Sequence, residues 1–119
     1  MIALAQTQAQ ALQIDPQDLA SWRSSGVAHC VLDVREPWEL DLCRFEDSLD
    51  IPMGQMPEAL DRLGKGALAD APLVVVCHHG VRSLQVVSWL RTQGVANAIN
   101  LRGGIDRWAQ HIDPTMRRY

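Results

Sequence analysis

The stretch with the most chemical potential is Cys77-His78-His79-Gly80-Val81-Arg82-Ser83, which follows the apolar run Leu73-Val74-Val75-Val76. Three settings suit those residue types: a metal site on the cysteine and histidines, a reactive thiol, or a buried cysteine at the end of a strand. A zinc site needs three or four convergent ligands, usually spaced as C-x2-C or H-x3-H pairs, and no such pair occurs here. No metal is expected. A reactive thiol needs surroundings that stabilise its anion. A loop that leaves a buried strand and opens a helix turns several N–H groups one way, and the helix start adds partial positive charge. A cysteine in such a cradle ionises more readily than a free thiol. Gly80 supplies the backbone freedom to turn N–H groups inward, and Arg82 sits where it can stabilise the loop or an anionic substrate. His78 and His79 add donors that gain charge near neutral pH, while Val81 has a shape role.

The neighbouring sequence must supply that strand and helix. Asp15-Pro16 reads as an N-cap followed by proline in the first turn, with Asp18 supporting a helix that ends by Gly26. His29 to Val34 (HCVLDV) is a short buried strand that Arg35-Glu36-Pro37 leaves. Trp38 to Cys43 suits a helical turn, and Leu49-Asp50-Ile51-Pro52 an extended segment closed by proline. Met56, Ala59, Leu60 and Leu63 have helical spacing, with Gly64 and Gly66 as the stop. Leu73 to Val76 reads as a central parallel strand, and Ser83 to Gln93 as a helix with a stripe of Leu84, Val87 and Leu90 before Gly94. Val95 to Leu101 gives another strand, Arg102-Gly103-Gly104 a turn, and Ile105 to His111 a short helix before Asp113-Pro114. Alternating strands and helices predict an α/β domain: a mostly parallel central sheet, helices on both faces, and ligand sites beyond the carboxyl ends of the strands. Cys77 falls in that place.

The chain has 119 residues, 47% of them hydrophobic, which suits one domain with one packed core. Residues 1–13, rich in alanine and glutamine, read as an N-terminal arm or short helix, and 14–119 as the domain. A formal charge of −3 without a dense Lys/Arg stripe argues against nucleic-acid binding. With no cationic-then-apolar leader and no apolar run of about 18 residues, neither secretion nor a membrane is expected, and the cytoplasm is the expected compartment. The three cysteines Cys30, Cys43 and Cys77 are odd in number and read as reduced thiols.

Three segments in order carry a family resemblance: Asp33-Val34-Arg35-Glu36-Pro37-Trp38-Glu39, Cys77 to Ser83, and Asn100-Leu101-Arg102-Gly103-Gly104-Ile105-Asp106-Arg107-Trp108. Together they resemble the rhodanese homology domain in its small single-domain form, over Ile14 to Tyr119. The resemblance implies a sulfurtransferase. In it, Cys77 takes a sulfane sulfur from a small donor such as thiosulfate, holds it as a persulfide, and passes it to a thiol or cyanide. It implies no cofactor. On this carry-over the N–H groups from His78 to Ser83 stabilise the thiolate and persulfide. Asp33 and Arg35 brace the loop or bind the donor, and Gly103-Gly104 and Trp108 serve packing. Between Cys43 and Pro52 only the final Ile-Pro of the family pattern is kept.

A second reading is a relay or docking module served by a cysteine desulfurase or a sulfur-carrier system. A third, a phosphatase or arsenate reductase, would resemble C-x5-R, whereas Cys77 to Arg82 is C-x4-R, one residue tighter. Cys30 reads as core, and Cys43 as a packing cysteine or a second thiol that resolves the persulfide. Trp22, Trp38, Trp89 and Trp108 lie on or beside helices, where core or boundary packing is expected. Met53 and Met56 face the site mouth or fill the core.

Overall fold

The computed structural model describes residues 11–63 and 70–119. The first ten residues of the arm and the helix stop expected at Gly64 and Gly66 lie outside them. In chain order the elements are β1 (Gln13–Ile14), α1 (Pro16–Ser25), β2 (Cys30–Asp33), α2 (Pro37–Leu40), β3 (Leu49–Asp50), a 3-10 turn (Met53–Gln55), α3 (Met56–Leu63), β4 (Leu73–Val76), α4 (Val81–Thr92), β5 (Ala98–Leu101) and α5 (Gly104–His111). The five strands form one sheet in the order β1-β5-β4-β2-β3, and every pairing is parallel. The α/β class read from the sequence is the class observed.

The helix starts follow local chemistry. At α1 the Asp15 N–H donates to Asp18 Oδ2 at 2.9 Å, Pro16 occupies the first turn, and Gly26 closes the helix with φ 71°. At α2 the Glu36 N–H donates to Glu39 Oε2 at 2.9 Å, again with proline in the first turn.

β4 runs through the middle of the sheet, and all four of its residues are completely buried. Its side chains alternate between two separate cores. Leu73 and Val75, with Cys77 beyond them, join Leu32, Val34, Met56, Leu63, Val86, Val87 and Leu90, the side covered by α3 and α4. Val74 and Val76 join Leu19, Trp22, Phe45, Ile105 and Trp108 under α1 and α5. Both faces are therefore apolar, which is why this strand reads as continuous rather than alternating.

Four features differ from the sequence reading. The first is β1. Gln13 was counted in the arm, yet it pairs in register with Asn100, and Ile14 with Leu101, so the sheet edge begins inside that segment. A two-residue strand is too short to show a period. Second, α4 begins at Val81, two residues before the expected Ser83, because Gly80 at φ 94° turns the chain directly into the helix. Val81, Arg82 and Ser83 are thus its first turn, not loop. Third, the buried face of α4 is Ser83, Val86, Val87 and Leu90, with Leu84 only half-buried. Ser83 takes the place of an apolar residue because polar partners wait beneath it. Fourth, Trp22 and Trp108 are buried and Trp89 is partly so, but Trp38 is 62% exposed. The inward residue of the short α2 is Glu39, so its neighbour Trp38 faces out.

Two successive glycines dock α5 against the chain leaving β4. Gly103 and Gly104 have φ 77° and 63°. A Cβ on Gly104 would lie 2.5 Å from the Cys77 carbonyl oxygen and overlap that of His78. Without it, the N–H groups of Ile105 and Asp106 reach those two carbonyls at 2.9 and 3.1 Å. Gly104→Ala is expected to cost about 2 kcal/mol or more in urea unfolding, from positive φ and overlap together. Gly94→Ala is a useful contrast: φ is 93° but nothing lies within 4 Å of the added Cβ, so strain alone costs about 1–2 kcal/mol. Equal losses at the two positions would contradict tight docking of α5.

Candidate active site

Cys77 follows β4 directly and is 1% exposed. Its carbonyl and that of His78 are turned outward to α5, so the following peptide N–H groups can face the opposite way. Two reach the sulfur: Gly80 N–H donates to Sγ at 3.1 Å and Ser83 N–H at 3.3 Å. The Ser83 hydroxyl lies 3.2 Å from the same atom. The Ser83 N–H belongs to the first turn of α4, where it has no intrahelical acceptor, and the axis of that helix adds a favourable field for an anion. A sulfur held this way has donors placed for a thiolate. Gly80 is required both for its φ of 94° and for space, since a Cβ would approach Gly103 N to 3.0 Å.

The remaining residues of the expected site separate into distinct positions. Asp33 and Arg35 are completely buried at the end of β2. Arg35 donates through Nη2 and Nε to Asp33, the closest contact being 2.8 Å, and through Nη2 to the Cys43 carbonyl at 2.8 Å. Its Nη1 donates to the Glu39 carbonyl at 3.3 Å and the Tyr119 hydroxyl at 3.0 Å. Burial alone would lower the Arg35 pKa, but Asp33 and Tyr119 offset it and hold the group above the ordinary arginine value. With every direction occupied by protein, this pair fixes the β2–α2 chain in place. Cys43 sits half-buried at its edge, Sγ 3.9 Å from Nη1, while Cys30 is partly buried against the core.

Arg82 points to α2, where Nη1 and Nη2 each donate to a Glu39 carboxylate oxygen at 2.8 Å. This fork-to-fork geometry holds its charge above the ordinary arginine range, chiefly through Glu39. The pair ties the first turn of α4 to α2. His78 and His79 lie with ring centroids 3.8 Å apart, and His78 stacks on Tyr119 at 3.7 Å and 4°. Burial first, then the neighbouring His79, lowers the His78 pKa below the ordinary histidine value. His79 and Val81 are exposed, and His79 Nδ1 lies 3.8 Å from Asp106. Among the described residues no group of three or more His, Cys, Asp or Glu could hold a metal ion. No helix among them is long and apolar enough to cross a membrane. Met56 is in the core. Met53 lines a small groove of about 170 Å³ with Pro57, Gln85 and Trp89.

Sequence reasoning missed Glu39, Tyr119, Asn100 and Gln13. Glu39 is 3% exposed and serves three purposes: it caps α2, pairs with Arg82, and accepts from the Tyr119 hydroxyl at 2.8 Å. A glutamate three residues after Glu36 gives a capping signal only. Tyr119 is 84 positions from Arg35, so no local pattern could place it there. Burial, offset in part by Arg35, pushes its phenol up to about 12, so it stays protonated and donates to Glu39. Asn100 and Gln13 meet the site from the β5–β1 edge, with Asn100 Oδ1 2.5 Å from the Ser83 hydroxyl oxygen.

Arg82 and the other donors lower the Glu39 pKa from 4.5 to about 2. A depressed carboxylate stabilises the fold above its unfolded value and loses that contribution as pH falls towards its folded one. Wild type should therefore lose stability between pH about 4.5 and about 2 more steeply than Glu39→Gln, measured by urea unfolding across that window. At pH 7, Glu39→Gln should itself cost about 1–3 kcal/mol, discounted because Arg82 is 35% exposed. Parallel pH profiles for the two proteins would contradict the pairing.

Residues 15–111 match the family of Rhodanese-like domains. A protein of Allochromatium vinosum named Sulfurtransferase is 32% identical over 99 residues, covering 83% of this chain and 89% of that one. The probable adenylyltransferase/sulfurtransferase MoeZ of Mycobacterium tuberculosis is 32% identical over 109 residues, 89% of this chain but 26% of MoeZ. The chain thus spans about a quarter of the length of such a relative. Among solved structures, the human single-domain sulfurtransferase TSTD1 has a TM-score of 0.74 at 27% identity, covering 85% of this chain and 97% of that one. A rhodanese-related protein from Thermoplasma volcanium has a TM-score of 0.70 at 30% identity, covering 84% and 92%. With a family match over residues 15–111 and a structural likeness at 30% identity, the chain belongs to the rhodanese-like domain family.

Proposed function

We propose that the protein is a sulfurtransferase that carries sulfur as a persulfide on Cys77. The observation that supports this best is the pair of backbone N–H groups, from Gly80 and Ser83, converging on a buried Sγ at the head of α4. In the first half-reaction the Cys77 thiolate attacks the outer sulfur of a donor such as thiosulfate. The new S–S bond forms as the donor's own S–S bond breaks, and sulfite leaves with the electron pair. In the second, a thiol or cyanide attacks the outer sulfur and Sγ departs as the thiolate. Each half-reaction needs the cysteine sulfur to bear negative charge, as nucleophile or as leaving group, and fixed N–H donors stabilise it without reorganising. Asp33 and Arg35 hold the loop's neighbour rather than the donor in this scheme, since both are enclosed by protein.

A relay role, with sulfur delivered by a protein such as a cysteine desulfurase or passed into a sulfur-carrier system, is the second reading. It is favoured by the likeness to one part of MoeZ and by the exposed Val81, 66%, and Trp38 on either side of the Arg82–Glu39 pair. Phosphatase chemistry is disfavoured because Arg82, the residue that would hold phosphate oxygens, is committed to Glu39.

Incubation with thiosulfate should add about 32 Da, one sulfur, at Cys77, and cyanide should remove it as thiocyanate. Cys77→Ser, with Cys30 and Cys43 intact, should take up none. Loading only from a protein persulfide would favour the relay reading. A thiol that alkylates readily yet accepts sulfur from neither small nor protein donors would sink both.

A further inference from the structure

Asn100 is completely buried on β5 and touches both residues that reach the Cys77 sulfur. Its Nδ2 donates to the Gly80 carbonyl at 3.2 Å and to Gln13 Oε1 at 2.9 Å. A backbone carbonyl can only accept, so this contact fixes which end of the amide is nitrogen. The other end, Oδ1, is acceptor only and faces the Ser83 hydroxyl at 2.5 Å.

A hydroxyl has one proton to give. With that proton on Asn100, the Ser83 oxygen presents a lone pair to Sγ, 3.2 Å away. The hydrogen bond between them then runs from the thiol S–H to the serine. For Ser83 to donate to a thiolate instead, Asn100 Oδ1 would be left buried without a partner, which is costly. Gln13, from the strand pairing β1 with β5, holds the amide from behind.

We propose that Asn100 is a positioning residue that turns the Ser83 hydroxyl proton away from the sulfur, so that Cys77 rests as a hydrogen-bonded thiol in a chain from Sγ through Ser83 to Asn100. The N–H groups of Gly80 and Ser83 remain as the donors for the anion when it forms. This rests on the reading of Cys77 as the nucleophile, but its chemistry concerns the resting thiol alone.

The test is the pH profile of Cys77 alkylation by iodoacetamide, followed by peptide mass so that Cys30 and Cys43 do not contribute. Asn100→Leu removes the competing acceptor and frees the serine proton for the thiolate. The midpoint of the profile should move down by about one pH unit. In a Ser83→Ala background the same substitution should leave the midpoint where Ser83→Ala alone puts it, because the effect travels through the hydroxyl. The charged groups around the loop are the same in each protein: Arg82 with Glu39 from α4 and α2, Arg35 with Asp33 from β2, and His78, His79, Asp106 and Tyr119. A loosened loop would raise the rate at every pH without moving the midpoint; that result, or an upward shift, would overturn the proposal.

A second measurement does not depend on the folding of the Asn100 variant. In a wild-type minus Cys77→Ala infrared difference spectrum, the S–H stretch should lie at the lowered frequency of a hydrogen-bonded thiol and return to the free position in Ser83→Ala. A free-thiol band in wild type would also overturn the proposal. Neither experiment involves sulfur transfer. A Cys77 that takes up no sulfur would leave these outcomes standing, and a failure here would leave the sulfurtransferase reading untouched.

Discussion

The turn that follows β4 depends on which way its peptide groups face. The carbonyls of Cys77 and His78 point out of the loop to the first N–H groups of α5, and this leaves the N–H groups of Gly80 and Ser83 free to point in. Neither half can be had without the other. If α5 were held further away, two buried carbonyls would lose their partners, and the peptides that follow would have no reason to keep their N–H groups on the sulfur. The close approach requires the absence of a side chain at Gly104, and the turn into α4 requires Gly80 at positive φ. A segment that looks like a cysteine motif is therefore held by a helix that begins 27 residues later.

Around that loop the charges are arranged as closed pairs. Arg35 is enclosed with Asp33, and Arg82 is forked onto Glu39. Glu39 and the Tyr119 hydroxyl link the two arginines into one network spanning β2, α2, α4 and the end of the described chain. Its effect is mechanical: the strand end that carries Asp33 and the helix start that carries Ser83 are held at a fixed separation with Cys77 between them. Although paired with Glu39, Arg82 also interacts electrostatically with Cys77. Within hydrogen-bonding distance of the sulfur are two peptide N–H groups and a serine whose orientation is set by Asn100.

The motif, the strand that delivers Cys77 and the α/β order of elements were legible in the sequence because each depends on neighbours in the chain. Four valine or leucine residues in a row imply burial on both faces, and proline after an acidic residue marks a helix start. The start of α4 was legible only to within two residues. Leu84, Val87 and Leu90 mark the body of that helix, but its first residues, Val81 and Arg82, follow from the positive φ of Gly80, which no apolar spacing records. Trp38 faces out for a related reason, since the inward side chain of its short helix is a glutamate.

By itself the sequence determined the chemistry on offer: a cysteine at a strand end, a glycine to turn the loop, a helix start to receive it, and a loop one residue tighter than C-x5-R. Tertiary structure decided how that chemistry is used. It forked Arg82 onto Glu39, and it enclosed Asp33 and Arg35. It also brought Tyr119 onto His78, and Asn100 and Gln13 under Ser83. These pairings join residues between 17 and 87 positions apart. Hydrogen bonds over such separations follow from strand order and helix docking, which no local pattern records.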